Sequence, residues 1–255
     1  MPESVCPRPN WLNRNQLSSV QWVRGFDVNR LLIDLTGRLV ILFLLLASTL
    51  FVLAGTLSWF GGWLFLILYF GFMIPLSLWL LRHDPGLLKE RLQGLSRSDQ
   101  KSWDKVLLAF AGILFLAWLA VMPVDVVRFH WSHMPMWERA LGLAVLLCSF
   151  YFFYLVFREN SYLSPVVRLQ HDRGQKVISS GPYHYVRHPM YSGVALFLIG
   201  TSVMLGSWFG LLVAMVLIGL IARRAVLEER VLRDELNGYA AYMTEVKYRL
   251  VPRIW

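Results

Sequence analysis

Cysteine and charged residues are scarce in this sequence, and each scarcity excludes a class of protein. Only Cys6 and Cys148 are present, so neither a disulfide framework nor a cysteine metal site is expected. Charged residues make up 16% and hydrophobic residues 56% of the 255 positions, which is more apolar surface than one soluble core of this length can bury. A glycine-rich strand-to-helix turn of the dinucleotide-binding type is also missing. The composition therefore favours a protein embedded in lipid.

Four stretches that contain no Asp, Glu, Lys or Arg predict transmembrane helices. They cover residues 39–60, 61–81, 106–124 and 140–157, and each is long enough, or nearly so, to cross about 30 Å of hydrocarbon. A fifth uncharged stretch, 193–222, is too long for one untilted span, and Gly206-Ser207-Trp208 in its middle predicts two shorter helices folded into a hairpin. The predicted fold class is all-α, a polytopic membrane protein with four transmembrane helices, a short C-terminal transmembrane helical hairpin and a cytoplasmic C-terminal helix.

The distribution of basic residues predicts how the chain is oriented. Of the 25 lysines and arginines, 23 lie in segments 1–38, 82–105, 158–190 and 222–255. If the N-terminus is cytoplasmic, four spans and a returning hairpin place all four segments on the cytoplasmic side, as the positive-inside bias requires. The net charge of +9 then reflects topology and attraction to anionic lipid, and no nucleic-acid partner is needed. The expected location is the inner membrane if the source is bacterial.

The chain divides into three predicted parts. Residues 1–38 form a cytoplasmic N-terminal arm without a secretory signal peptide, residues 39–135 hold three transmembrane helices with a polar cytoplasmic loop, and residues 136–255 form a catalytic core. The polar loop, 82–105, mixes six basic with four acidic residues. That mixture is typical of a solvated amphipathic segment, and we expect no site there.

Two polar clusters flank the predicted hairpin. The first, residues 181–193, reads G-P-Y-H-Y-V-R-H-P-M-Y-S-G, and the second contains a Glu-Glu pair at 228–229 followed by tyrosines and Arg249. Because a hairpin returns to the face that it left, its ends bring the two clusters together. Glu159 and Asn160, at the end of the fourth span, emerge on the same side. The sequence therefore predicts one cavity with lipid at one wall and water at another.

This ordered set resembles the isoprenylcysteine carboxyl methyltransferase family and its phospholipid methyltransferase relatives, over about residues 159–255. Besides the first cluster it includes I-G-T-S-V-M-L in the hairpin, the Glu-Glu pair and Y-x-x-Y at 239–242. The resemblance implies an enzyme that transfers a methyl group from S-adenosylmethionine, without a metal, to a small or lipid-like acceptor at the cytoplasmic face. The cofactor-binding residues that it implies are Tyr183, Arg187, His188, Pro189, Tyr191, Gly193, Glu228, Glu229, Tyr239 and Tyr242.

The resemblance also implies roles for individual residues. Tyrosine rings would pack on adenine or face the sulfonium, a glutamate would accept hydrogen bonds from ribose or the cofactor's ammonium, and Arg187 and His188 would hold its carboxylate. The candidates for catalysis are Arg249, which would orient an anionic acceptor, Asn160 beside it, and Glu159.

One departure from the prenylcysteine enzymes bears on the acceptor. In those enzymes a basic residue closely follows the second tyrosine, whereas here Tyr242 is followed by Met243-Thr244-Glu245, and the nearest arginine is Arg249. A prenylated protein carboxylate is therefore disfavoured. The acceptor stays open among a carboxylate, a thiol, an amine and another lipid.

Simpler interpretations stand beside these. Arg187 and His188 could anchor a helix start at the membrane interface, Glu228 and Glu229 could form ordinary helix-surface pairs, and Glu159 could pair with Arg158. A transporter or channel subunit is an alternative function, although its ionisable residues would be expected inside the spans rather than at one membrane edge. A non-catalytic membrane scaffold is a third.

Overall fold

The computed structural model of the protein describes residues 28–94 and 99–255, and over those residues it contains helices and loops but no β-strand. The predicted all-α fold class is therefore confirmed. Residues 1–27 of the predicted N-terminal arm lie outside the described residues, as does Cys6. The α-helices are α1 Val28–Ala54, α2 Phe60–His83, α3 Pro85–Leu92, α4 Ser102–Pro123, α5 Met136–Glu159, α6 Pro189–Leu205, α7 Trp208–Glu235 and α8 Tyr239–Glu245.

Five helices are long and apolar enough to cross a membrane. They are α1, α2, α4 with its π-helical continuation to Arg128, α5 and α7, and α6 is apolar but shorter, with 17 residues. The chain is an integral membrane protein. α1 begins at Val28, well before the predicted start at 39, because the isolated charges of Arg30, Asp34 and Arg38 do not interrupt a helix.

The turn of the predicted hairpin lies at Gly206 and Ser207, between α6 and α7. Gly206 has a backbone φ of 85°, in the left-handed region that glycine adopts without strain. The Ser207 hydroxyl accepts a hydrogen bond from the Gly210 amide at 2.8 Å and so caps α7. The expectation of two short helices is corrected for α7, which has 28 residues. Its charged second half consists of good helix formers, so the helix continues to Glu235.

Glycines bring α5 and α6 into close contact. A Cβ on Gly142 of α5 would collide with the backbone nitrogen of Met204, and a Cβ on Gly200 of α6 would lie 2.6 Å from the Leu146 nitrogen. Small residues of this kind let two membrane helices approach closely. The contact fixes where α6 begins relative to the end of α5, which is where the polar clusters lie.

Buried ion pairs tie the loop of residues 160–188 across one end of the helix bundle. We call this end, where α2 and α5 end and α6 begins, the site face. Arg168 donates to both carboxylate oxygens of Glu90 at 3.0 and 2.9 Å, and Arg224 of α7 donates to Asp104 at 2.8 Å. The hydrogen bonds that Arg168 donates to Glu90 raise the pKa of Arg168.

These ion pairs contradict the expectation for segment 82–105. Glu90 is 4% exposed and Asp104 0%, so the segment is not merely solvated. Glu90 and Asp104 are buried because they neutralise Arg168 of the loop and Arg224 of α7. The segment therefore forms part of the floor on which the site is built.

Candidate active site

The C-terminal tail is attached to the start of α6 by backbone hydrogen bonds. The amides of Arg187 and His188 donate to the carbonyl oxygens of Tyr248 and Arg249, each at 2.9 Å. The Ser192 hydroxyl donates to the Leu250 carbonyl at 2.5 Å. The first polar cluster and the tail that follows the second are therefore held side by side, as predicted from the hairpin.

Glu229 is the centre of a buried ionic cluster. Its Oε1 accepts hydrogen bonds from Arg187 Nε at 2.7 Å and lies 3.2 Å from His188 Nε2, and its Oε2 accepts from Arg249 Nε at 2.8 Å. Arg187 also donates to the carbonyls of Val246 and Lys247. Glu229 is 3% exposed, so its carboxylate is enclosed by protein groups that satisfy both of its oxygens.

Glu228 has different surroundings, although it is the next residue along α7. Its Oε2 accepts a hydrogen bond from the Tyr191 hydroxyl at 2.5 Å and lies 4.0 Å from His188 Nδ1. The rings of His188 and Tyr191 are stacked, with centroids 5.4 Å apart and planes inclined by 5°. Glu228 lines a cavity at the site face and Glu229, although it is also in the described part of the chain, does not.

Three tyrosines form another wall of this cavity. The Tyr183 hydroxyl accepts a hydrogen bond from Asn160 Nδ2 at 2.7 Å, and the Tyr242 hydroxyl donates to the Tyr183 carbonyl at 2.6 Å. The Tyr239 hydroxyl is buried and has no hydrogen-bond partner among the described residues. Burial raises the pKa of all three phenols, so they stay uncharged at neutral pH.

The cavity has a volume of about 130 Å³ and combines most of the predicted site residues. The wall opposite the tyrosines comes from the loop, at residues 162–169 and 175–178. The predicted residues that line the cavity are Asn160, Tyr183, Arg187, His188, Pro189, Tyr191, Glu228, Tyr239 and Tyr242.

Four predicted residues, all within the described chain, do not line the cavity. Gly193 packs on α5, where an added Cβ would lie 2.7 Å from the Phe153 ring. Glu159 accepts a hydrogen bond from the Ser180 hydroxyl at 2.8 Å and lies beneath Gly181. The other two, Glu229 and Arg249, are bound to each other.

Sequence reasoning did not identify Arg91 and Met190 as cavity residues. Met190 lies inside the Arg-His-Pro motif, so its neighbours were a signal for it. Arg91 lies in the segment expected to be solvated, 96 positions before Arg187 of the motif, and its sequence offers no signal. Within residues 28–94 and 99–255, no group of three or more His, Cys, Asp or Glu side chains is arranged to hold a metal.

Residues 137–237 match the phospholipid methyltransferase family. The phospholipid methyltransferase match runs from the start of α5 to just beyond α7, and it includes the Arg187-His188 pair and both glutamates. The resemblance inferred from the sequence is therefore confirmed over this segment. The match of this segment to a methyltransferase family, together with the five long apolar helices, supports a membrane methyltransferase. No curated protein matches the chain.

Proposed function

We propose that the protein transfers a methyl group from S-adenosylmethionine to a small or lipid-like acceptor at the cytoplasmic face of the membrane. The observation that carries the proposal is the meeting of His188 with Glu228 and Glu229 beside a tyrosine-lined cavity, within a segment that matches a methyltransferase family. The residues proposed to contact the cofactor are those that line the cavity.

The chemistry of the cavity wall fits this cofactor. The Glu228 carboxylate suits ribose hydroxyls or an ammonium group, and the tyrosine rings suit adenine and a sulfonium. The Tyr239 hydroxyl is buried without a protein partner in the described chain, so a bound ligand would supply the missing hydrogen bond.

The size of the cavity sets a condition on binding. Its volume of about 130 Å³ is below the roughly 300–1,000 Å³ usual for small-molecule sites. The loop wall at 175–178, which the ion pair of Arg168 with Glu90 does not hold, must therefore move outward to admit a nucleoside, while the wall built by α6, α7 and α8 stays in place. The fixed wall carries the Glu228 carboxylate with Tyr191, Tyr239 and Tyr242.

For methyl transfer the protein must mainly position two reactants. When bound, S-adenosylmethionine supplies a methyl group whose bond to a positively charged sulfur breaks as the acceptor atom bonds to the carbon, leaving a neutral thioether. The chain's own groups orient the reactants in line and exclude water. The tyrosine phenols stay neutral because of their raised pKa values, so they present ring faces and hydroxyls rather than charges.

The cytoplasmic location rests on charge. The four basic segments that hold 23 of the 25 lysines and arginines include the loop, the second half of α7 and the tail, all of which lie at the site face. The positive-inside bias favours the cytoplasm for such segments.

Methyl transfer is tested with membranes that contain the protein and S-adenosylmethionine labelled on its methyl group. We expect label in a product extracted with organic solvent, and we expect Glu228→Gln to lower its rate at least tenfold. Arg158→Gln is the matched control, because Arg158 is half exposed on α5 and, in the described chain, does not line the cavity. If the protein binds S-adenosylhomocysteine but transfers no methyl group, it is a non-catalytic scaffold. If it neither binds S-adenosylhomocysteine nor transfers a methyl group, the proposed enzymatic function is excluded.

A further inference from the structure

The C-terminal tail runs along the start of α6 toward the membrane. The carbonyls of residues 248–249 accept hydrogen bonds from the amides of residues 187–188, just before α6 begins. The next carbonyl, that of Leu250, accepts a hydrogen bond from Ser192, which lies about 4.5 Å beyond the first residue of α6 along its axis. The tail therefore descends along α6, and the residues after Leu250 lie at the level where this apolar helix enters the membrane.

Residues 249–255, which we call the tail turn, form a closed loop. The amides of Arg249, Leu250 and Val251 all donate to the carbonyl oxygen of Trp255, at 2.9, 3.0 and 3.1 Å. The Trp255 amide in turn donates to the Val251 carbonyl at 3.1 Å. These hydrogen bonds fix the backbone of the tail turn, and with it the position of the Trp255 side chain.

The tail turn exposes large apolar side chains beside an arginine. Ile254 is 79%, Val251 45% and Trp255 37% exposed, and Arg253 between them is exposed as well. Contiguous apolar side chains on a surface mark a site of contact with protein or membrane. Tryptophan rings and long basic side chains suit the membrane surface, because their apolar parts contact acyl chains while their polar ends reach the headgroups. The surface of the tail turn therefore matches the interface of the bilayer that α6 enters beside it.

One residue connects Trp255 with the ionic cluster around Glu229. The guanidinium carbon of Arg249 lies 5.0 Å from the centroid of the Trp255 ring, and Arg249 Nε donates to Glu229 Oε2 at 2.8 Å. A guanidinium is attracted to the face of an aromatic ring, so the ring and the carboxylate hold Arg249 between them. An interaction that fixes Trp255 therefore also favours the contact between the tail and α7.

The geometry points to the tail turn as an interfacial anchor. Val251, Ile254 and Trp255 insert into the boundary between lipid headgroups and acyl chains, and the inserted Trp255 holds Arg249 against Glu229. The partner is the surface of the phospholipid bilayer, and the tail turn lies beyond the family match at 137–237. Insertion strengthens cofactor binding, because it keeps the tail beside the start of α6. This effect on the cofactor rests on the proposed function, whereas insertion itself does not.

Insertion is tested by measuring how deeply residue 254 lies in the bilayer. A spin label is attached to Ile254→Cys in the whole chain, with the two native cysteines replaced, in phosphatidylcholine nanodiscs. Collisions of the label with oxygen, which concentrates in lipid, and with a water-soluble nickel chelate report its depth. The references are labels at Ile113→Cys, on the exposed face of α4, and at Ser179→Cys, in the exposed part of the loop.

We expect the ratio of oxygen to nickel collisions at residue 254 to lie well above the Ser179 value and close to the Ile113 value. A ratio equal to that at Ser179 would place the tail turn in water. Protection from both reagents would place it against protein. Either of these two results would overturn the inference.

The effect on the cofactor site is tested by calorimetric titration of S-adenosylhomocysteine in the same nanodiscs. Ile254→Asp should weaken binding by up to about tenfold, as the loss of one inserted aliphatic side chain allows, because a carboxylate keeps the tail turn out of the lipid. Ile254→Leu should retain the native affinity. Leu57→Asp is the matched control, since Leu57 is 68% exposed in the turn between α1 and α2, at the opposite end of the bundle, and it should leave binding unchanged.

The two measurements separate this inference from the proposed function. Native affinity in Ile254→Asp would overturn the link between insertion and the cofactor site. If the native protein binds no S-adenosylhomocysteine, the proposed function fails, and the depth of the spin label still decides whether the tail turn is an anchor.

Discussion

Glu228 and Glu229 are adjacent in the sequence, yet their carboxylates have different partners. Glu229 is enclosed by Arg187, His188 and Arg249, whereas Glu228 lines the cavity at the site face and accepts a hydrogen bond from Tyr191. The sequence predicted the pair but could not separate the two, because which neighbour on α7 faces the cavity depends on how α7 packs. Of the two, the sequence favours Glu229 for cofactor binding, whereas Glu228 is the one that lines the cavity at the site face.

Substitution of the two glutamates should therefore have different consequences. We expect Glu229→Gln to destabilise the protein by about 3–5 kcal/mol, because it leaves buried arginines without a counter-charge. Glu228→Gln should preserve the unfolding temperature within a few degrees while weakening S-adenosylhomocysteine binding. Thermal unfolding in detergent checks the first result and calorimetry the second. Equal stability of the two variants would contradict this division of roles.

The buried tyrosines predict an alkaline loss of stability. Burial holds the pKa of Tyr183, Tyr239 and Tyr242 above the usual value of about 10. Above about pH 10 the unfolded chain releases these protons while the folded chain retains them, so the stability that is present below that pH is lost as the pH rises.

The test is the slope of stability against pH, measured by thermal unfolding between about pH 9 and 11. Tyr239→Phe should make the slope shallower by up to about 1.4 kcal/mol per pH unit. Tyr185→Phe is the control, because Tyr185 is 65% exposed, and it should retain the native slope. The same slope in both variants would show that burial of Tyr239 is not its cause.

At the scale of elements, the glycine contact between α5 and α6 sets the position of the Arg-His-Pro motif. A methyl group on Gly142 would meet backbone atoms of Val203 and Met204, and backbone cannot rotate away as a side chain can. We expect Gly142→Ala to destabilise the protein by about 1–3 kcal/mol and to lower cofactor affinity. Gly112→Ala, at a glycine of α4 with nothing within 4 Å, should be neutral or stabilising. Thermal unfolding of the two variants tests this prediction. A Gly142→Ala variant with the stability of the native protein would contradict the close contact between α5 and α6.

The sequence predicts a helix correctly where the length of an apolar run determines where the helix lies. The spans and the turn at Gly206 follow from runs without charge and from a glycine that adopts a positive φ. The end of α7 did not follow, since charged residues such as Arg224 and Glu228 continue a helix as readily as apolar ones. Nor did the burial of Glu90 and Asp104, because their arginine partners Arg168 and Arg224 lie far away in sequence.

At the scale of the whole molecule, the site face should be cytoplasmic. We expect a cysteine introduced at Ser179, in the exposed part of the loop, to react with an impermeant maleimide only after cells are opened. A cysteine at His133, in the exposed turn before α5, should react in intact cells. The two native cysteines are replaced beforehand. The reverse pattern would invert the topology and contradict the positive-inside argument.

The central claim is that the start of α6 and the end of α7, with α8 and the tail, form one nucleoside site. Calorimetric titration of S-adenosylhomocysteine into the purified, detergent-solubilised protein tests it most directly. The account predicts saturable binding to one site per chain, retained in Arg158→Gln and weakened at least tenfold in Glu228→Gln. No heat of binding to the folded native protein, or equal affinity in Glu228→Gln, would contradict it.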